Sequence, residues 1–211
     1  MKNNIKISAL VIAHNEENKL ASCLKKLVYA DELVVVLDKT NDKSDIIAKK
    51  FGAKVYKGSW NIEGERRNYG IKKCKGPWIL EVDADERVSI ELQKEIIKTI
   101  NLSSADWHQI QVKNYLGKRI IKNGWGAYFG KSAYAGLFRN KIKKWGNQRV
   151  HPKIKLFGKQ GKTLENKLDH FYCKNISDLF NKLNSYSNSR AIDLKNSNHN
   201  ETLIRNIRRL F

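Results

Sequence analysis

The chain has 211 residues, of which 41% are hydrophobic and 9% aromatic, and carries a formal net charge of +20. That apolar content supports one good core plus an appendage and excludes a disordered polycation. No signal-peptide pattern opens the chain, and no apolar run approaches the roughly 18 residues of a membrane span, so a cytoplasmic protein is expected.

Three separated cysteines, Cys23, Cys74 and Cys173, have neither the density of a disulfide framework nor metal-ligand spacing, and Cys23 and Cys74 read as small buried hydrophobes. The charge is uneven. Residues 101–211 hold 22 Lys/Arg against 6 Asp/Glu, which is +16 of the total. Such a surface attracts polyanions, whether nucleic acid, an anionic lipid headgroup or a phosphorylated glycolipid.

In chain order, Ile5 to Ala13 reads as a strand ending in a buried apolar run, followed by the polar turn His14-Asn15-Glu16-Glu17. Leu20, Cys23, Leu24, Leu27 and Val28 recur at helical spacing. Glu32 to Leu37 is a second continuous apolar strand and ends at Asp38. A helix over 42–51 is closed by Gly52, a short strand spans Lys54 to Tyr56, and residues 62–74 are helical. Pro77 to Val82 forms the strand that delivers Asp83 and Asp85, and Ser89 caps an amphipathic helix running to Ile100.

Strands alternating with helices over the first hundred residues imply an α/β fold with a mainly parallel sheet and helices on both faces. From Asp106 onward, short alternating pieces, glycine turns and aromatics suggest antiparallel additions. A terminal helix carries Ile176, Leu179, Phe180, Leu183, Tyr186 and Leu194 on one face. A basic amphipathic segment over 203–211 closes the chain and suggests peripheral attachment to an anionic membrane surface.

In an open α/β sheet the ligand lies beyond the carboxyl ends of the strands. Three polar clusters fall there: His14-Asn15-Glu16, then Asp38 to Asp42, then Asp83-Ala84-Asp85-Glu86. Carboxylates crowded at one edge repel each other and repel a diphosphate unless a hard divalent cation binds between them, which points to Mg²⁺ or Mn²⁺. Asp85 is assigned as metal ligand, with Asp83 on the ribose or sharing the metal. An isolated Asp-x-Asp is a weak signal, but its place after a buried strand strengthens it. Neither Gly-x-Gly-x-x-Gly nor a P-loop is present, so a metal must do the work of a phosphate-binding loop. The acidic edge also argues against nucleic acid as the partner.

The runs from Ser8 to Glu17, from Glu32 to Asp38, Arg67-Asn68-Tyr69-Gly70, and from Trp78 to Arg87 together resemble glycosyltransferase family 2. Within that family they are most similar to bacterial lipopolysaccharide core β-1,4-glucosyltransferases. The likeness continues more loosely through Gly124-Trp125, Leu137-Phe138-Arg139, Arg149-Val150-His151 and Leu168-Asp169-His170. It implies a GT-A, Rossmann-like fold in which residues 1–170 form the catalytic domain, 1–105 as its donor half and 106–170 as its acceptor half, with a helical segment over 171–211. It also implies a UDP-sugar donor contacted by Ala13, His14, Asn15, Glu16 and Asp38, with Arg67 on the diphosphate and Asp83, Ala84 and Asp85 at the ribose and metal. His170 is a further metal or phosphate contact.

An inverting transfer needs a base for the acceptor hydroxyl. Relatives often carry Val-His-Glu where this chain has Val150-His151-Pro152, so His151 is the candidate, with Asp169 and Glu86 as alternatives. Trp125, between two glycines, is the aromatic expected to stack on an acceptor sugar. Relatives of this type often continue past the point matched by Phe211, so a truncated C-terminus is expected. A nucleotide-sugar hydrolase or nucleotidyltransferase, and a noncatalytic polyanion-binding member of the family, stand as alternatives.

Overall fold

The computed structural model describes residues 6–122, 131–148 and 152–196. The expectations for Trp125, His151 and the basic segment over 203–211 fall outside the described residues.

The centre of the sheet is made by its most apolar runs. Strands β1 (Ile7–Ala13) and β2 (Glu32–Asp38) are buried at every position, as expected of strands covered on both faces. β1 pairs in parallel with β2 on one side and with β4 (Trp78–Asp83) on the other. β3 (Lys54–Gly58) extends the parallel set beyond β2. Between these strands, α1 (Glu17–Leu24), α2 (Ser44–Lys50) and α3 (Glu63–Lys73) make the crossovers, because parallel neighbours require a connection that passes over the sheet. Leu20, Cys23, Leu24 and Ala48 pack on one face, together with Leu92 and Ile96 of α4 (Ile90–Leu102). Ile71 of α3 packs with Leu10, Ile12, Val34, Val36 and Phe138 on the other. The Ser89 hydroxyl accepts from the Leu92 amide at 3.1 Å and caps α4 as its sequence predicts. Cys23 and Cys74 are buried in these cores, and Cys173 is buried and free as well.

Past β4 the sheet changes direction. β8 (Ala133–Arg139) runs antiparallel to β4, and β6 (Trp107–Leu116) runs antiparallel to β8. β11 (Leu164–Cys173) then lies parallel to β6 and receives the two-residue β5 (Glu86–Arg87) in antiparallel pairing. The order is β3-β2-β1-β4-β8-β6-β11-β5, with β7 (Arg119–Ile120) on β6, and β9 (Lys143–Trp145) and β10 (Ile154–Leu156) form a separate hairpin. The sheet is therefore mixed, not only extended by antiparallel pieces. The β11–β5 pairing folds the segment after β4 back against His170.

The last helix, α5 (Ile176–Asn196), departs from the expected buried stripe. Leu179 is buried and Leu183 packs partly beside it, but Ile176 and Phe180 are exposed. Leu179 and Leu183 meet Tyr172 and Cys173 of β11, and the Tyr186 and Leu194 side chains expected on the same face fall outside the described residues. Among the described residues no helix is long and apolar enough to cross a membrane.

At the opposite edge from the polar clusters, Glu32 is a buried carboxylate with a full set of partners. It accepts from Ser8 Oγ at 2.5 Å, from the Lys75 amide at 2.7 Å and from Lys54 Nζ at 2.6 Å. Burial pushes its carboxyl up, but the Lys54, Lys75 and Ser8 hydrogen bonds overrule that and hold it below the ordinary value of 4.5. The stabilisation from this group is therefore complete above about pH 4.5 and is lost as pH falls through its lowered folded-state value. Glu32→Gln is expected to cost about 2 kcal/mol at neutral pH, since the amide cannot accept at both positions. Urea denaturation at pH 7 and pH 3 should show the variant losing less stability than wild type on acidification. Parallel losses would show that Glu32 does not set the acid response.

Candidate active site

The carboxyl ends of β1, β2 and β4 come together as the sequence predicts, and short polar contacts join them. His14 Nδ1 lies 2.7 Å from the Asp38 carbonyl. Asn15, with φ of 52°, is left-handed, and its Oδ1 accepts from the Asn41 amide at 2.9 Å. The Glu16 amide donates to Ser44 Oγ at 3.2 Å, and the Glu16 carboxylate pairs with Lys19 at 3.3 Å. These bonds fix the two loops to each other and leave the His14 and Asn15 side chains at an exposed rim. Ala13 is different, because its methyl is buried in the core, so that residue presents backbone alone. Asp38 is also buried, and its oxygens accept from the Trp60 amide at 2.9 Å and from Arg66 at 2.7 Å.

The Asp83–Asp85 turn separates its two carboxylates. Asp83 turns inward: Oδ1 lies 3.0 Å from Arg67 and Oδ2 lies 2.9 Å from Lys131. Burial would raise its carboxyl, but the Arg67 and Lys131 cations hold it far below the usual carboxylate range. Arg67 itself is enclosed by Glu63 at 2.7 Å, Glu81 at 2.9 Å and Asp83, with the Trp145 ring 4.6 Å away. In this arrangement Arg67 orders Asp83 and holds no charge in reserve for a diphosphate. The Ala84 methyl packs into the core, so its predicted donor contact reduces to the backbone.

Asp85 points the other way, with Oδ1 3.6 Å from His170 Nε2. Asn114 fixes the imidazole. Its Nδ2 donates to the Lys131 carbonyl at 3.1 Å, which leaves Oδ1 to accept from His170 Nδ1 at 2.7 Å. Nδ1 is then the protonated nitrogen, and a neutral ring turns its Nε2 lone pair toward the Asp85 carboxylate. Two electron-pair donors facing each other across a gap call for a cation between them, either a proton on Nε2 or a metal ion. Burial works against ionising Asp85, but with the proton on Nε2 His170 holds that carboxyl below the ordinary value.

The donor set of one carboxylate and one imidazole fits Mn²⁺ or Mg²⁺, ions that take one or two protein ligands and complete their shells with phosphate oxygens and water. Asp83, with both oxygens on cations, does not fit the ligand role expected of it. Among the described residues no group of three or more His, Cys, Asp or Glu side chains is placed to hold an ion.

Behind the turn lies a buried ionic cluster that sequence reasoning missed. Glu81 is 1% exposed, and Lys143 Nζ donates to it at 2.7 Å. Lys131 spans Asp83 and Glu86, 2.7 Å from the latter, and sits over the Tyr134 ring at 4.0 Å. Burial raises the Glu86 carboxyl, Lys131 offsets part of that, and Asp83 adds to it. Glu86 is fully buried and accepts from the Asp83 amide at 2.8 Å, so it braces the turn and cannot reach an acceptor as a base. Asp169 is ion-paired to Lys113 at 3.1 Å and accepts from the Tyr115 hydroxyl at 3.1 Å. As the strand neighbour of His170 it faces away from Asp85, which removes it from the same role. Trp145 packs against Arg67 and donates toward Glu81 at 3.4 Å, so it belongs to this cluster.

A signal for the cluster was present in the sequence. A glutamate inside the apolar run from Trp78 to Val82 must find a cation, although nothing local names Lys143.

Residues 8–160 match the family model described as Glycosyl transferase family 2. The chain is 31% identical over 201 residues to an uncharacterized glycosyltransferase of Rickettsia conorii, a match covering 90% of this chain and 70% of that one. A Rickettsia bellii counterpart is 40% identical over 92 residues, covering 43% of this chain and 31% of the relative. The lipopolysaccharide core biosynthesis glycosyltransferase LpsC of Rhizobium meliloti is 22% identical over 205 residues, with 88% and 70% covered. Among solved structures, Staphylococcus aureus TarS shares the fold with a TM-score of 0.61 at 18% identity, over 79% of this chain and 36% of TarS. A shorter TarS structure in complex with UDP gives 0.59 at 18% identity, over 78% and 60%. The chain thus spans about a third of the length of some proteins it matches.

Proposed function

Since the chain belongs to glycosyl transferase family 2, we propose that it is an inverting hexosyltransferase that moves sugar from a UDP-sugar to a lipopolysaccharide core or other cell-surface glycan. The reading rests on one observation: the polar ends of β1, β2 and β4 meet at a single sheet edge, with Asp85 and His170 facing each other beside them. LpsC supports a glycan acceptor, and the UDP complex of TarS supports a uridine nucleotide.

Each residue has a distinct part in this reading. The rim formed by His14, Asn15 and Glu16 and the backbone beside Asp38 receive the nucleoside. Arg67 and Lys131 hold Asp83 in place, so the turn is set before donor arrives. That preorganisation removes a cost from binding. Asp85 and His170 would hold Mg²⁺ or Mn²⁺, which supplies positive charge to the diphosphate as UDP leaves. The acceptor hydroxyl attacks the anomeric carbon opposite UDP and gives its proton to a base, a role assigned to His151. Trp125 is assigned to the acceptor side, and the basic C-terminal segment to peripheral contact with the cytoplasmic face of an anionic membrane.

Calorimetric titration of UDP, GDP, UDP-glucose and UDP-galactose, with and without Mn²⁺, tests the donor assignment. Saturable, Mn²⁺-dependent binding of the uridine ligands is expected, with GDP much weaker. Absence of nucleotide binding under both conditions would discard the transferase reading.

A further inference from the structure

On the outer side of the Asp85 turn lies an open recess of about 330 Å³ lined by Lys19, Arg87, Gly117, Phe171, Cys173 and Lys174. Its floor is apolar and fixed. Phe171 stacks on Tyr115 with centroids 5.0 Å apart at 18°, and the Arg87 guanidinium lies 5.7 Å from the Phe171 ring. Phe171 is nevertheless 40% exposed, so part of the ring is free to meet a ligand.

The rim is cationic in a particular way. Arg87 donates to the carbonyls of Ala84, Glu86 and Lys19 and to the Ser22 hydroxyl. All four acceptors are neutral, so the guanidinium is immobilised while its charge is left unneutralised. Among the described residues the Lys174 ammonium has no carboxylate partner, and Lys174 is exposed. Two acids border the recess: Glu16 pairs with Lys19 at 3.3 Å and offsets that lysine, and Asp178 accepts from the neutral Lys174 amide at 3.0 Å. The third acid nearby, Asp85, directs its side chain to His170.

A fixed arginine, the exposed Lys174 and a flat aromatic floor suit a ligand that has both an anion and an apolar ring face. Sugar rings present C–H faces to aromatics, and phosphates seek fixed cations. Position matters as much as chemistry. The Phe171 amide donates to the Asp85 carbonyl at 2.9 Å, so the backbone under the recess is bonded to the turn that carries the proposed metal ligand, while the Phe171 ring, beside Tyr115 and Asp169, lies on the other side of β11 from His170. We propose that this recess binds the phosphate-bearing unit of the acceptor, a phosphorylated saccharide, and so selects acceptors by charge. The assignment to an acceptor rests on the transferase reading, whereas the anion site itself does not.

The test uses the full chain, isotopically labelled, with backbone amide shifts of Gly117, Phe171 and Lys174 followed during titration with glucose 6-phosphate, glucose, inorganic phosphate and phosphatidylglycerol vesicles. UDP with Mn²⁺ is titrated into the same preparation. Saturable shifts with glucose 6-phosphate, weaker ones with phosphate, none with glucose, and about a tenfold weaker affinity in Lys174→Glu are expected. Lys174→Gln should fall between wild type and Lys174→Glu. Since Lys174 is exposed, both variants should fold, and their UDP binding should match wild type.

Equal shifts with glucose, or an affinity unmoved by Lys174→Glu, would overturn the site. Response to vesicles without response to glucose 6-phosphate would overturn the saccharide assignment and make the recess a headgroup contact. Glucose 6-phosphate binding without UDP binding would leave the anion site standing and remove its acceptor role. UDP binding without glucose 6-phosphate binding would remove the site and leave the donor reading intact.

Discussion

Lys143→Met should lower the unfolding free energy by about 3 kcal/mol, seen as a reduced urea midpoint with an unchanged slope. The Lys143 side chain is 0% exposed and that of Glu81 is 1% exposed. The ammonium also donates to the Ala135 carbonyl at 2.8 Å and lies between the rings of Phe138 and Trp145. Burial draws the Lys143 pKa below its ordinary value even with Glu81 beside it, which is the mark of an ion held at a desolvation cost. Removing the cation leaves Glu81 with Arg67, a guanidinium already divided among other carboxylates. Glu81→Gln added to Lys143→Met should recover part of the loss, because the stranded charge is then gone. A single-variant loss below about 1 kcal/mol would mean that the cluster repacks around the hole.

Asp85→Ala should abolish Mn²⁺-dependent UDP binding, a loss of about a hundredfold or more, while leaving the urea midpoint nearly unchanged. The contrast with its neighbour follows from their partners. The Asp85 carboxylate meets His170 at 3.6 Å, whereas Asp83 neutralises two partly buried cations. Asp83→Asn should therefore reduce stability first and binding second, by leaving Arg67 and Lys131 in mutual repulsion. Calorimetry beside urea denaturation on both variants separates these outcomes. Unchanged UDP affinity in Asp85→Ala with Mn²⁺ would remove the metal-ligand assignment.

The first hundred residues were readable because their signals are local. The apolar runs of β1, β2 and β4 begin and end within a residue or two of their expected bounds, and each is followed by the polar cluster that marks its carboxyl end. Ser89 announced α4 by its capping chemistry. The orientation of the Asp83–Asp85 pair was not readable in the same way. Which carboxylate turns inward is decided by Lys131, 48 residues away, and by Arg67, whose motif suggested a ligand contact but whose surroundings made it a counterion. The role of Glu86 was hidden for a similar reason. The β11–β5 pairing, Lys131 and Tyr134, all far away in sequence, enclose it.

The buried ionic cluster also bears on how the molecule acquires its structure. Glu81 and Glu86 belong to the first hundred residues, but Lys143 and Lys131, which neutralise them, arrive from beyond the reversal at β8. A nascent chain ending near residue 105 would have Arg67 to share among Glu63, Glu81 and Asp83 and would lack the Lys131 that meets Glu86, which leaves β4 poorly seated. The first hundred residues are therefore expected not to fold as an autonomous unit. Their acidic strand end is completed by the basic half, so part of the charge asymmetry along the sequence serves as delayed internal neutralisation, and that sheet edge takes its final form when the distal strands dock.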